Sequence, residues 1–147
     1  AKLAASPSLR VLYGTPFLGA DLGLMLGGQV PRLGVYFSLD YFVGATLFGL
    51  QTMAVRPGLT LEGILGRWRV GGSVYFSVLM VRRASADEYM VDGGGGVSLH
   101  GSADVWRFGE RALYLGLRVG VDGLAATNPS GARSAMVDVT ALAGFRL

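Results

Sequence analysis

Apolar side chains alternate with polar or small ones along the whole stretch 112–122. The odd positions are Leu113, Leu115, Leu117, Val119 and Val121, and the even positions are Tyr114, Gly116, Arg118, Gly120 and Asp122. Successive side chains of a strand point to opposite faces, so this stretch predicts one apolar face and one polar face. A tilted strand of about 9–11 residues spans the hydrocarbon core of a bilayer. The stretch therefore predicts a membrane-spanning strand of a closed β-barrel.

The composition favours the same class. The 147 residues predict a single domain, 51% of them are hydrophobic and the mean hydropathy is +0.46. No stretch approaches the roughly 18 apolar residues of a transmembrane helix. The absence of cysteine excludes a disulfide framework and a thiolate metal site, and we predict no metal and no cofactor. A net charge of +3 without a long basic run argues against a nucleic-acid partner.

The alternation predicts an all-β, eight-stranded, antiparallel, up-and-down transmembrane barrel over residues 17–147. The predicted strands are 17–26, 33–43, 47–55, 59–66, 70–82, 96–105, 112–122 and 135–147. Strand 47–55 has the weakest pattern, with Phe48, Leu50 and Ala54 predicted to face lipid, and a helix over 41–54 is its alternative. Residues 1–16 are set apart as a tail, a bulged strand extension or a plug. A soluble β-sandwich is the alternative fold.

Charged side chains collect on the inner faces of these strands. Because a carboxylate facing lipid costs several kcal/mol, this one-sided placement predicts a polar lumen, which in an eight-stranded barrel is filled by side chains. The predicted lumen network is Asp21, Asp40, Glu62, His100, Asp104, Arg118, Asp122, Asp138 and Arg146. These charges predict either a salt-bridge network or a narrow solute or ion path.

An aromatic girdle is expected where strands cross the membrane interface. The predicted members, all at the end of the barrel that holds the chain end, are Phe17, Tyr41, Phe48, Trp68, Trp106, Phe108 and Phe145. Segments 83–95 and 123–134 are predicted as exposed loops on the opposite, extracellular side, with short turns in the periplasm. Arginines at both rims, among them Arg67, Arg69, Arg107 and Arg111 with the short turns and Arg32 and Arg56 with the loops, are predicted to bind lipid phosphates or simply to snorkel.

The last strand, Val137-Asp-Val-Thr-Ala-Leu-Ala-Gly-Phe-Arg-Leu147, resembles the terminal signal of outer-membrane barrels. With the strand pattern and the girdle, it makes residues 17–147 resemble the small eight-stranded bacterial outer-membrane barrels of the OmpA membrane-domain and OmpX type. The strand departs from that signal because it ends in Leu147, with Phe145 two places earlier. The resemblance implies an integral protein of the outer membrane of a Gram-negative bacterium, in contact with membrane lipid and lipopolysaccharide.

The segment His100-Gly-Ser102 resembles the His-x-Ser of outer-membrane lipid A deacylases. A Ser–His pair can activate a hydroxyl nucleophile when a carboxylate orients the ring, and Asp104 lies on the same face. The predicted register, however, places His100 inside the barrel, whereas the reactive pair of that family meets lipid. The alternative is a hydrogen-bonded lumen histidine.

The sequence thus predicts a non-enzymatic barrel that serves as a structural anchor or as a partner-binding subunit of an outer-membrane complex. A lipid-modifying hydrolase that uses His100 and Ser102 is the second hypothesis. A narrow solute or ion path is the third.

Overall fold

The computed structural model describes residues 1–12, 15–47, 49–83, 89–124 and 134–147. Eight strands pair in chain order and close into one antiparallel up-and-down barrel, which confirms the predicted fold class. The strands are β1 (Lys2–Leu12), β2 (Thr15–Val30), β3 (Leu33–Ala45), β4 (Leu50–Leu65), β5 (Trp68–Arg83), β6 (Tyr89–Phe108), β7 (Arg111–Leu124) and β8 (Ser134–Arg146).

The first predicted boundary is wrong, because the segment 1–16 is not separate from the barrel. Lys2–Leu12 forms β1, which pairs with β2 on one side and with β8 on the other and so closes the barrel. Its pattern alternates like that of the other strands, with Leu3, Leu9 and Val11 exposed and Lys2 and Arg10 buried.

The predicted strands 47–55 and 59–66 are one strand, β4, which runs through Arg56-Pro57-Gly58 without a turn. Its inward positions stay even-numbered from Thr52 to Glu62, so the register never changes. Ala54 faces the interior and Leu50 packs against the same buried cluster, against the prediction that both face lipid, and no helix forms over the described residues 41–47 and 49–54.

Two prolines interrupt the hydrogen-bonded ladders without ending their strands. Proline has no amide hydrogen to donate to a neighbouring strand. At Pro57 the β4–β5 pairing has a gap between residues 55 and 58, and at Pro7 the β1–β8 pairing has a gap between residues 4 and 8. In the second gap the Ala143 amide donates to Ser6 Oγ at 3.1 Å, so a side chain replaces a backbone acceptor.

The two ends of the barrel differ. We call the end with Lys2 and Arg146 the turn rim; it carries the two-residue connections 31–32, 66–67 and 109–110. Gly66 and Gly109 adopt positive φ angles of 64° and 62°, which favours glycine in such tight turns. The opposite end, the loop rim, carries the connections 13–14, 46–49, 84–88 and 125–133.

The predicted loops are shorter than expected. Residues 89–95 of the predicted loop 83–95 belong to β6, and residues 123, 124 and 134 belong to β7 and β8. The remaining residues, 84–88 and 125–133, lie outside the described part of the chain. The run of glycines at 93–96 explains the error, because its composition is that of a loop although it pairs with β5.

The outer surface of the barrel is an apolar belt. Large side chains such as Leu22, Phe37, Leu61, Leu115 and Val139 are between 41% and 56% exposed. Among the described residues, no helix is long and apolar enough to cross a membrane.

The predicted aromatic girdle is partly wrong. Trp68, Trp106, Phe108 and Phe145 lie at the turn rim, and the rings of Trp106 and Phe108 stack with centroids 5.4 Å apart. Phe17 points into the barrel and is 2% exposed, because it occupies an inward position of β2. Tyr41 faces outward but lies toward the loop rim on β3, and Phe48 lies outside the described residues.

Candidate functional site

The lumen is the candidate site. All nine side chains of the predicted network point into the lumen. Eight of them are buried, and the side chain of Asp40 is 14% exposed. The structure adds four inward cations, namely Lys2, Arg10, Arg56 and Arg69. The described lumen thus contains as many bases as acids: Lys2, Arg10, Arg56, Arg69, Arg118 and Arg146 against Asp21, Asp40, Glu62, Asp104, Asp122 and Asp138.

The upper cluster, toward the loop rim, is built on one arginine. Arg56 Nη1 donates to both carboxylate oxygens of Asp138, at 3.1 and 2.9 Å, while Nε and Nη2 donate to Asp122 at 3.1 and 2.7 Å. Its guanidinium also lies 4.9 Å from the ring centroid of Tyr75. Arg56 is 1% exposed and both aspartates are fully buried, so water solvates neither carboxylate and Arg56 supplies the compensating charge.

The middle cluster consists of Arg10, Asp21, Asp40 and Arg118. Arg10 contacts Asp21 at 2.5 Å and lies flat on Phe42, with its guanidinium carbon 3.8 Å from the ring centroid. Arg118 bridges the two aspartates, at 2.8 Å from Asp40 and 3.4 Å from Asp21. The pairs are close and balanced, as buried charges require.

The lower cluster, toward the turn rim, consists of Lys2, Glu62, Arg69, His100, Asp104 and Arg146. Glu62 accepts from Lys2 Nζ, from Arg69 Nη1 at 3.2 Å, and lies 3.3 Å from His100 Nε2. Asp104 accepts from Arg146 Nη2 at 2.7 Å. Each carboxylate of this cluster therefore has more than one partner.

An apolar cluster closes the lumen at the loop rim. We call it the cap; it consists of Phe17, Phe42, Ala54, Leu79, Leu124 and Met136, all at most 2% exposed. These residues come from the loop-rim parts of their strands and meet at the barrel axis above the upper cluster. The cap is thus a small hydrophobic core inside the barrel.

The space that remains lies at the turn rim. A cavity of about 30 Å³, roughly the volume of one water molecule, has a mixed lining in which Asp40, Glu62, His100 and Arg118 lie beside apolar side chains such as Met25 and Leu142. Below it a basin of about 530 Å³ opens at the mouth, beside Lys2, Arg69, Arg107 and Arg146. Above the cavity Arg10, Arg56 and the cap are almost fully buried, so within the described residues the lumen is blocked.

The geometry does not assemble the serine and histidine of the hydrolase hypothesis. His100 Nε2 faces Glu62, and no hydrogen bond joins the ring to Ser102 within the described part of the chain. His100 and Ser102 are each 6% exposed inside the barrel, away from lipid. Gly71 lies across from the ring, where a Cβ atom would come within 2.9 Å of Nε2, so the packing is that of a fixed lumen histidine. Among the described residues, no group of three His, Asp or Glu is placed to hold a metal ion.

All four cations that sequence reasoning missed had been assigned to turns or to the tail, Arg69 to the short turn before the predicted strand 70–82. Lys2 and Arg10 fell in the segment 1–16, and Arg56 fell in a turn predicted from Pro57 and Gly58. The signal that could have placed Lys2, Arg10 and Arg56 is the alternation of outward and inward positions. This alternation is unbroken from Leu3 to Val11 and from Thr52 to Glu62.

The arginines that were predicted at the two rims lie in the lumen or at the turn rim. Arg56 and Arg69 are buried in the lumen, and Arg32 lies at the turn rim and not at the loop rim. Arg67 lies over Trp68, 5.4 Å from the ring centroid, while Arg111 is exposed at the turn rim.

The fold was compared with known proteins. Neisserial surface protein A has a crystal structure that matches 99% of this chain and 94% of its own, with a TM-score of 0.65 and 14% sequence identity. The chain has the fold of the small eight-stranded outer-membrane barrels. The N-terminal barrel domain of Pseudomonas aeruginosa OprF also matches, with a TM-score of 0.46 and 10% identity over 96% of each chain. The sequence itself matches no family model and no curated protein.

Proposed function

We propose that the chain is an integral barrel of a Gram-negative outer membrane, with a sealed lumen, that acts as a structural anchor or as a partner-binding subunit. The observation that carries the proposal is the pairing of an exposed apolar belt with a blocked, charge-balanced interior. An interior of this kind stabilises the wall and leaves the rims to interact with other molecules.

The loop rim is the proposed contact surface. Leu47 is 95% exposed, Met90 is 70% exposed and Val91 is 57% exposed. Exposed apolar side chains at an aqueous rim favour contact with a partner. Residues 89–93 of β6 pair with β5 and, among the described residues, with no residue of β7. This part of the β5–β6 hairpin therefore offers apolar side chains to an outer-membrane protein partner.

Conductance separates this function from a solute path. Wild-type protein in a planar bilayer is expected to give no single-channel steps, because the cap and the upper cluster block the lumen. Steps in the wild type that change with Asp104→Asn would overturn the proposal and favour an ion path through the lower cluster.

Lipid chemistry separates it from the hydrolase. Cells that express the wild type and cells that express Ser102→Ala are expected to contain the same lipid A. A difference between them would favour the hydrolase, despite the burial of Ser102.

Orientation is the third part of the proposal: the loop rim faces the exterior and the short turns face the periplasm, as is usual for such barrels. A membrane-impermeant maleimide applied to intact cells is expected to label Leu47→Cys and not Arg32→Cys. The opposite labelling pattern would reverse the orientation.

A photo-crosslinker tests the proposed contact surface. At Val91 it should form protein adducts that one at Val74, within the belt, does not form.

A further inference from the structure

The outer wall carries an apolar groove over the seam where β1 meets β8. The groove has a volume of about 680 Å³ and an almost entirely apolar lining. Ala5 and Ala143 form its floor, since the pairs on either side of the Pro7 gap place them opposite each other. Leu22 and Tyr41 border it on one side, and Leu113 on the other.

The groove exists because small side chains interrupt a belt of large ones. Pro7 lies next to Ala20 on β2 and faces Ala141 on β8 in the same register, so the small patch continues along the seam. In a membrane, binding to such a surface comes from van der Waals packing, which small residues favour by allowing close approach. The apolar lining of the groove matches a hydrocarbon chain in chemistry.

A free cation lies at the turn-rim end of the groove. Leu3, Phe145 and Leu113 form a row across the end of the lining. Arg111 follows two residues below Leu113 on the same outward face of β7, a distance of roughly 7 Å along the strand. Its side chain is exposed and forms no hydrogen bond or ion pair with the described residues.

The second lipid-facing pocket lacks this arrangement. It lies around Gly72, has a volume of about 560 Å³ and is lined by Leu61, Val74 and Leu99. On that side Arg67 has its guanidinium over Trp68, 5.4 Å from the ring centroid, and Arg32 lies in the turn before β3, three residues from Val35 of the lining. Among the described residues, only the groove at the β1–β8 seam therefore has an arginine two residues from its lining on the same outward face of a strand.

We propose that the groove at the β1–β8 seam is a binding site for a phospholipid of the turn-side leaflet, with one acyl chain on Ala5 and Ala143 and an anionic headgroup on Arg111. A guanidinium binds phosphate oxygens in bidentate geometry, and a headgroup without an ammonium group keeps its net charge for that contact. One basic residue near a membrane surface contributes about 1 kcal/mol, so anionic lipid is expected to bind about five-fold more tightly than zwitterionic lipid.

This site is independent of the function of the lumen, but it requires the belt to face lipid. The two tryptophans allow a direct test. Trp106 pairs with Leu113 and so lies beside the groove, while Trp68 lies on β5, toward the other pocket. Trp68→Phe leaves Trp106 as the reporter, and Trp106→Phe leaves Trp68.

Each reporter is reconstituted in phosphatidylcholine vesicles with increasing fractions of phosphatidylglycerol brominated in the upper part of its acyl chains. Quenching of Trp106 is expected to reach half its maximum at about one fifth of the fraction that Trp68 requires. Arg111→Gln is expected to abolish the difference, whereas Arg67→Gln leaves it unchanged. Ala143→Leu, which fills the floor, is expected to weaken the quenching of Trp106 both by brominated phosphatidylglycerol and, in parallel samples, by brominated phosphatidylcholine.

Equal quenching of Trp106 by brominated phosphatidylglycerol and brominated phosphatidylcholine would overturn the headgroup preference. A preference of Trp106 for brominated phosphatidylglycerol that survives both Arg111→Gln and Ala143→Leu would overturn the site. Heat-modified mobility on gels verifies that each variant is folded, so loss of quenching is not confused with loss of the barrel.

Discussion

The cap and the lower cluster fill the two ends of one lumen in opposite ways. The cap excludes charge entirely and packs its six side chains to at most 2% exposure. The lower cluster holds three bases and two acids beside the single histidine, and it retains a cavity and an open basin. The difference shows that the barrel resembles a cup more than a tube, closed at the loop rim and open to solvent at the turn rim.

The two ends also differ in how replaceable their residues are. In the upper cluster, directly beneath the cap, Arg56 is the only ion-pair partner of Asp122 and of Asp138 among the described residues. In the lower cluster Glu62 and Asp104 each have several cationic partners. The loss of one charge should therefore be severe under the cap and mild near the mouth.

Replacing Arg56 is expected to have the largest effect. Arg56→Met leaves two buried carboxylates unpaired, which costs about 3–5 kcal/mol of unfolding free energy. Urea titration in lipid vesicles measures the loss. Combining the substitution with Asp122→Asn and Asp138→Asn is expected to recover most of it. The control Arg107→Gln, at a side chain 52% exposed, should cost about 0–1 kcal/mol, and an equal loss in both variants would refute the contrast.

The cap is expected to be nearly as sensitive. Leu79→Ala removes a side chain that is 1% exposed and leaves a cavity, at a cost of roughly 2–5 kcal/mol in the same titration. The volume-conserving Met136→Leu should cost less than about 1.5 kcal/mol. If Leu79→Ala were as stable as the wild type, the cap would not be a packed core.

The lower cluster is expected to tolerate the loss of one cation. After Lys2→Met, Glu62 keeps its contacts with Arg69 Nη1 at 3.2 Å and His100 Nε2 at 3.3 Å. The unfolding free energy should therefore fall by about 1.5–3 kcal/mol, the contribution of one hydrogen bond to a charged group, which is less than after Arg56→Met. A loss as large as that of Arg56→Met would mean that the partners of Glu62 are not redundant.

The alternation of apolar and polar residues along the sequence predicted some strands of this fold and missed others. Period two identified the class and the inward faces of β3, β6, β7 and β8, because an outward charge would be costly in lipid. The predicted count of eight strands is right only because two errors cancel. It misplaced β1 and divided β4, because Pro57-Gly58 has the composition of a turn while the inward parity from Thr52 to Glu62 shows a continuous strand.

The site was predicted less completely. Residue type and parity placed the nine network residues on inward faces, but the partners of each depend on strand register and barrel closure. Arg56 meets residues 66 and 82 positions away in the chain, which no local pattern encodes. The cap was missed for a similar reason: parity places Phe17 and Leu79 on inward faces, but which inward side chains pack together depends on barrel closure.

Site-directed spin labelling tests the central claim most directly, because the sequence contains no cysteine that would add a background label. Labels at Leu22→Cys, Leu115→Cys and Val139→Cys should collide more often with oxygen dissolved in lipid than with a water-soluble nickel chelate. A label at Ser98→Cys, on the inward face of β6, should be poorly accessible to both. Outward labels that report water, or an inward label as oxygen-accessible as the outward ones, would contradict a lipid-facing belt around a filled lumen.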